Sequence, residues 1–139
     1  MTNILIHGCG GKMGRVVAEL VKNETGCKVV GGIDPGMPEL EFPVYPSCEA
    51  CNAEADVIID FSTATAIPAL LDFACSKKIP VVLCTTALSD ETIQLMQETS
   101  KETAVLKSAN MSLGVNLLLE LVQRAANILA DSGFDIEIL

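Results

Sequence analysis

Apolar and polar positions fall in blocks along this chain. Asn3-Ile4-Leu5-Ile6-His7 is nearly continuous in apolar character, the pattern of a short strand buried on both faces. A helical pattern over 15–22 follows. A second apolar run, Val29-Val30-Gly31-Gly32-Ile33, is closed by Asp34. Further strand-like runs lie at 57–61, 80–84 and 103–107, alternating with helical patterns over 64–77 and 89–100. Pro68 fits the first of these helices only in its opening turn. Ser89 reads as an N-cap, with Asp90 and Glu91 in the first turn, where the helix dipole favours anions. The longest helical pattern covers 112–131, with Leu117, Leu118, Leu121, Val122, Ala125, Ile128 and Leu129 on one stripe. Gly133 ends it, and 134–139 alternates as a half-exposed strand does. Segment 35–46 holds four prolines and a glycine and reads as a loop at the mouth of a site.

Repeated strand–helix units of this kind predict an α/β fold, a doubly wound parallel sheet with helices on both faces. Between the first strand and first helix stands Gly8-Cys9-Gly10-Gly11-Lys12-Met13-Gly14. Strand, glycine turn, helix, strand and terminal acid are the parts of a dinucleotide-binding, Rossmann-type unit. The spacing is GxxGxxG rather than GxGxxG, and Gly10 adds a fourth glycine. Glycines permit the sharp turn, the approach of a pyrophosphate and the packing of helix on strand. The helix N-terminus then meets the phosphates.

Asp34 is placed to accept hydrogen bonds from both adenosine ribose hydroxyls and to repel a 2′-phosphate. At ~4 Å and an effective dielectric of ~20 that repulsion is about 4 kcal/mol before relaxation. No arginine follows it in Pro35-Gly36-Met37-Pro38, and Lys12 is the nearby cation. NADH is therefore expected over NADPH, with NADPH usable. The competing reading of Asp34 is a loop-capping carboxylate. Phe61-Ser62, Cys84-Thr85-Thr86 and Ser108-Ala109-Asn110-Met111 follow the third, fourth and fifth strands, at the edge where open α/β sheets bind ligands. Turn and N-cap roles compete for each, Ser112 especially. His7 and Asp60 are expected to be structural, and no nucleophile, base and orienting group assemble into a catalytic set.

Composition narrows the function classes. The 139 residues suit one domain, and half are hydrophobic. The net charge is −9, with no basic cluster beyond Lys77-Lys78, so nucleic acid is not an expected partner. No apolar run approaches the ~20 residues of a membrane span, and no basic leader precedes the first strand. A cytoplasmic protein without membrane contact is expected. Of six cysteines, Cys48 and Cys51 form a lone CxxC. With a single histidine in another element, a zinc site lacks ligands, which leaves a reduced structural pair or a redox pair.

Together these pieces resemble the dihydrodipicolinate (4-hydroxy-tetrahydrodipicolinate) reductases of bacterial lysine and diaminopimelate biosynthesis. The resemblance rests on Gly8-x-x-Gly11-Lys12-Met13-Gly14, Val57-Ile58-Ile59-Asp60-Phe61-Ser62, Thr85-Thr86 and, most specifically, Ala109-Asn110-Met111-Ser112-Leu113-Gly114-Val115-Asn116. It covers the whole chain. It implies that Gly8, Cys9, Gly10, Gly11, Lys12, Met13, Asp34, Phe61, Ser62, Cys84, Thr85, Thr86, Ser108, Ala109, Asn110 and Met111 line a nicotinamide cofactor. Two departures stand out. The family's glycines flanking the threonine pair are Cys84 and Ala87 here, and its basic residue after the second-strand acid is missing.

The resemblance also implies a further mixed α/β domain bearing the catalytic residues, the substrate site and the tetramer contacts. The expectation is then a cofactor-binding domain over 1–131 and the first strand of a truncated substrate domain over 132–139. The parent would be a homotetramer acting on a cyclic dicarboxylate. This chain alone would bind NADH without turnover, with no catalytic residue and no metal ligand of its own. A stand-alone NAD(H)-binding or redox-sensing module, and the cofactor domain of another amino-acid-pathway dehydrogenase, are the alternatives.

Overall fold

The computed structural model describes residues 1–137. It divides into two units, Met1–Ala109 and Asn110–Leu139.

The first unit is one six-stranded sheet. Its strands are β1 (Thr2–His7), β2 (Cys27–Ile33), β3 (Val44–Tyr45), β4 (Val57–Asp60), β5 (Val81–Leu83) and β6 (Val105–Lys107). Their order is β3-β2-β1-β4-β5-β6 and every pairing is parallel. The chain starts in the centre, winds outward to β3, then returns past β1 to β4. That reversal puts a crevice between the carboxyl ends of β1 and β4, the switch point of a doubly wound sheet. The register sets His7 opposite Asp60 there.

Side chains alternate across the central strands and build a core on each face. Leu5, Ile33 and Ile58 pack with Ile67, Leu70 and Leu71 of α2 (Ile67–Lys77), and Leu95 and Met96 of α3 (Asp90–Thr99) join them. Ile4 and Ile6 face the other way, onto Val17, Ala18 and Val21 of α1 (Lys12–Asn23). A 3₁₀ turn, Ala64–Ala66, leads into α2 and places Pro68 in its opening turn, as the sequence requires. Ser89 caps α3 by accepting a hydrogen bond from the Thr92 N–H at 3.2 Å.

The 35–46 segment contains one element its prolines conceal. β3 pairs beside Gly32 and Ile33 of β2, an edge position that tolerates flanking prolines. A proline-rich loop replaces the helix that usually joins parallel strands. The uncovered face leaves a groove of about 680 Å³ beside α1, lined in part by Ala18, Val29, Leu40 and Phe42. It lies apart from the strand ends that carry the predicted ligand residues.

The second unit holds α4 (Leu113–Asp131), capped by Ser112, whose hydroxyl accepts from the Val115 N–H at 3.5 Å. By length and composition this helix could cross a membrane, with a mean hydropathy of 1.2, which the sequence reading did not allow for. Asn116, Glu120, Gln123, Arg124 and Asn127 nevertheless recur every three or four residues. They form one polar face, the signature of an amphipathic helix rather than of one apolar all round. Phe134 to Glu137 carry no regular secondary structure. The last two positions of the strand expected over 134–139 lie outside the described residues.

Candidate functional site

The glycine turn is shaped by contacts that only glycine allows. Gly8 has φ +78°, and a Cβ there would meet the Phe61 carbonyl oxygen at 2.7 Å and Ser62 Cα at 2.9 Å. The turn after β1 therefore lies against the turn after β4. A Cβ on Gly14 would run into the Gly8 carbonyl and Cys9 Cα, so α1 sits directly on the turn. Helix α1 begins with Gly11 as an N-cap that has no side chain, and no acid stands in its first turn. Its first amides have no partner within the helix. Lys12, the first helical residue, and Met13 are exposed. This helix start has the chemistry of an anion site.

Asp34 joins the turn from β2. Its Oδ2 accepts from the Gly10 N–H at 2.9 Å, and its Oδ1 accepts from the Gly36 N–H at 2.9 Å. The loop-capping reading of Asp34 is thus correct. It does not exclude the ribose reading, because each carboxylate oxygen retains acceptor capacity. Cys9 is different. Its side chain is fully buried, in space that a Cβ on Gly32 would fill. Only its backbone faces the turn's chemistry.

The strand ends beyond the crevice are fixed by hydrogen bonds that extend the ladder one residue past each strand. Phe61 N–H donates to the His7 carbonyl, Cys84 N–H to the Asp60 carbonyl and Ser108 N–H to the Leu83 carbonyl, each at 3.0 Å. Cys84 and Thr85 are buried, Thr86 and Ala109 exposed, and Phe61, Ser62 and Ser108 half-buried. Ser108 and Ala109 close the first unit. Asn110 and Met111 open the second, where Asn110 Oδ1 accepts from the Ser112 N–H at 2.8 Å.

The sequence reading understated Asp60. This carboxylate has no exposed surface and four donors. Its Oδ1 accepts from His7 Nδ1 at 2.8 Å, Ser62 Oγ at 2.6 Å and the Ser62 N–H at 3.2 Å, while Oδ2 accepts from Thr85 Oγ1 at 2.7 Å. Burial alone would raise its pKa. The hydrogen bonds from His7, Ser62 and Thr85 outweigh that and hold it below the ordinary value. One buried anion thus ties together the ends of β1, β4 and β5. The signal was present in Val57-Ile58-Ile59-Asp60: an acid closing a buried strand requires donors, and the neighbouring strand ends supply an imidazole and two hydroxyls.

The CxxC pair belongs to the core. Cys48 and Cys51 are buried among Ile67, Leu70 and Phe73. Burial, aided by Glu49, pushes the Cys48 thiol up to about 11, and burial also raises Cys51. A redox pair needs an accessible thiol that titrates low, and this pair has neither property.

Comparison with known proteins completes the picture. Residues 2–111 match the family model described as "Dihydrodipicolinate reductase, N-terminus". The 4-hydroxy-tetrahydrodipicolinate reductase of Caldanaerobacter subterraneus subsp. tengcongensis is 50% identical over 139 residues, all of this chain and 55% of that protein. The chain therefore spans about half the length of the curated relatives it matches. A dipicolinate-bound dihydrodipicolinate reductase from Paenisporosarcina superposes with a TM-score of 0.76 at 22% identity, over 91% of this chain and 54% of that one. The WlbA dehydrogenase from Bordetella pertussis, solved with NADH and UDP-GlcNAcA, gives 0.70 at 11% identity, over 88% and 42%. At such identities the structural likenesses speak for the fold. The sequence matches speak for descent, and this chain belongs to the dihydrodipicolinate reductase N-terminal family.

Proposed function

We propose that this chain is the cofactor-binding part of a 4-hydroxy-tetrahydrodipicolinate reductase of lysine and diaminopimelate biosynthesis, and that it binds NADH in preference to NADPH. The observation that carries the proposal is the glycine turn of Gly8 and Gly14, seated at the uncapped start of α1 and against the Phe61–Ser62 turn. A side chain at Gly8 would strike the Phe61–Ser62 backbone and one at Gly14 the Gly8–Cys9 backbone, so only glycine lets the turn close on the helix start. The residues present fit the group.

In this reading Gly10, Gly11, Lys12 and Met13 meet the pyrophosphate, with Gly8 and the Cys9 backbone shaping the turn. Asp34 holds the adenosine ribose. Phe61, Ser62, Cys84, Thr85, Thr86, Ser108 and Ala109 serve the nicotinamide half. When bound, the nicotinamide supplies a hydride. The chain spans about half the length of its curated relatives, and this reading assigns proton donation and recognition of a cyclic dicarboxylate to the remainder. The 139 residues alone then bind cofactor without turnover. The longer protein is a cytoplasmic homotetramer without membrane or nucleic-acid contact.

Fluorescence titration with NADH and NADPH tests the binding claim. Saturable binding of NADH, at least threefold tighter than NADPH, is expected. Equal affinities would remove the preference, and no binding of either would remove the function. Reductase turnover by residues 1–139 alone would overturn the division of labour.

A further inference from the structure

The Asp60 network carries a consequence for how the nicotinamide half is read. An ionised carboxylate only accepts hydrogen bonds. The hydroxyls of Ser62 and Thr85 therefore each spend their single proton on Asp60, at 2.6 and 2.7 Å. The alternative acceptor for Ser62, the Thr63 carbonyl at 3.5 Å, is too distant to compete. His7 Nδ1 likewise carries a proton toward Asp60. What remains on the Ser62 and Thr85 oxygens is lone pairs. Thr85 is buried, whereas Ser62 keeps part of its surface open, next to the glycine turn.

We propose that Asp60 is a positioning residue that fixes Ser62 as a hydrogen-bond acceptor at the carboxyl edge of the sheet, matched to an N–H donor, the carboxamide NH₂ of the nicotinamide. This rests on the reading that the edge binds a nicotinamide dinucleotide. A carbonyl or a phosphate oxygen has no proton to offer and is refused at Ser62. The carboxamide NH₂ would then be the group held at Ser62. His7 and Thr85 hold the carboxylate from the flanking strands, so that it stays charged while fully buried.

The test compares reduced dinucleotides that differ in this one group. The reduced 3-acetylpyridine analogue keeps the carbonyl and loses both N–H donors. Wild-type protein is expected to bind NADH about tenfold more tightly than the analogue, the loss of one hydrogen bond to a desolvated partner. In Ser62→Ala the ratio should fall below about threefold, since the discriminating acceptor is gone. In Asp60→Ala the acceptor that takes the Ser62 proton is gone, the hydroxyl is free to turn that proton outward, and the ratio should fall likewise. A generally loosened fold would weaken both dinucleotides together and leave the ratio unmoved. Should Asp60→Ala fail to fold, Ser62→Ala alone decides. ADP-ribose, which lacks nicotinamide, serves as control and should bind all three proteins equally. A wild-type ratio near one, or a ratio unchanged in Ser62→Ala while ADP-ribose binds, overturns the proposal. Failure of wild-type protein to bind ADP-ribose overturns instead the dinucleotide reading beneath it.

Discussion

Two aspartates end neighbouring regions of the sheet and do opposite things. Asp34, after β2, is half-buried and accepts from two backbone N–H groups of glycine-bearing turns. Asp60, the last residue of β4, is sealed and accepts from side chains at the ends of three strands. The first has acceptor capacity to spare for a ligand. The second has its oxygens surrounded, so it acts on a ligand only through the groups it orders. Under the proposed function, ligand reading and site building are divided between two carboxylates of the same kind, and exposure decides which does which.

The comparison breaks most visibly on stability. Asp60→Ala leaves a buried imidazole, the buried Thr85 hydroxyl and the half-buried Ser62 hydroxyl without their acceptor, and about 3 kcal/mol or more should be lost. Asp34→Ala removes two hydrogen bonds that water replaces in part, and about 1 kcal/mol should be lost. Urea unfolding of the two variants measures the difference. Equal losses would mean that Asp60 is as replaceable as Asp34.

Binding should invert that ranking in character. Asp34→Ala is expected to weaken NADH about tenfold, the value of a ribose hydrogen bond to a charged group. NADPH should gain little, because the Gly10 N–H loses its anchor in the same step. The NADH-to-NADPH ratio then falls to near one through loss rather than gain. A strong rise in NADPH affinity would show that Asp34 only repels and does not hold the turn.

Acid sharpens the contrast further. The Asp60 carboxyl is held below its ordinary value. Its contribution to stability is therefore complete above the unfolded-state pKa of about 3.9 and is lost as pH falls through the lower folded-state value. Denaturation midpoints measured from pH 7 to pH 3 should bend downward below about pH 4 in the wild type. Asp60→Asn, with no proton to gain, should flatten that bend. An unaltered bend would place the acid sensitivity elsewhere.

Much of this was legible in the sequence because it depends on local pattern. The apolar runs located β1, β4 and β5 to within a residue or two, Ser89 and Ser112 announced their helices, and the Gly8–Gly14 turn with Asp34 named the ligand class. What stayed hidden depends on distance along the chain. His7 and Asp60 are 53 residues apart, and Asp60 and Thr85 are 25 apart. Nothing local shows that parallel pairing sets them side by side. β3 was missed for another reason. Two residues among four prolines give no periodicity, and only the edge of β2 makes them a strand. Cys9 stands in the glycine turn, while its buried side chain packs against Gly32 on the next strand, a contact that local sequence does not show.

The smallest expected effect lies at Ala87, beside the threonine turn. The resemblance to the family led to a glycine being expected where Ala87 stands, and the backbone there is left-handed, with φ +57°. An L-residue with a Cβ is disfavoured in this region by roughly 1–2 kcal/mol. Glycine relieves that strain but adds freedom to the unfolded chain, which offsets part of the gain. Ala87→Gly should therefore stabilise by about 0.5–1 kcal/mol, read as a higher urea midpoint at unchanged slope. NADH affinity should move less than twofold, because the turn keeps its path and the anchors of Thr85 and Cys84 are untouched. A destabilised variant would mean that the Ala87 methyl group makes packing worth more than the strain it causes. The residue would then be a local adaptation of this chain rather than a tolerated departure.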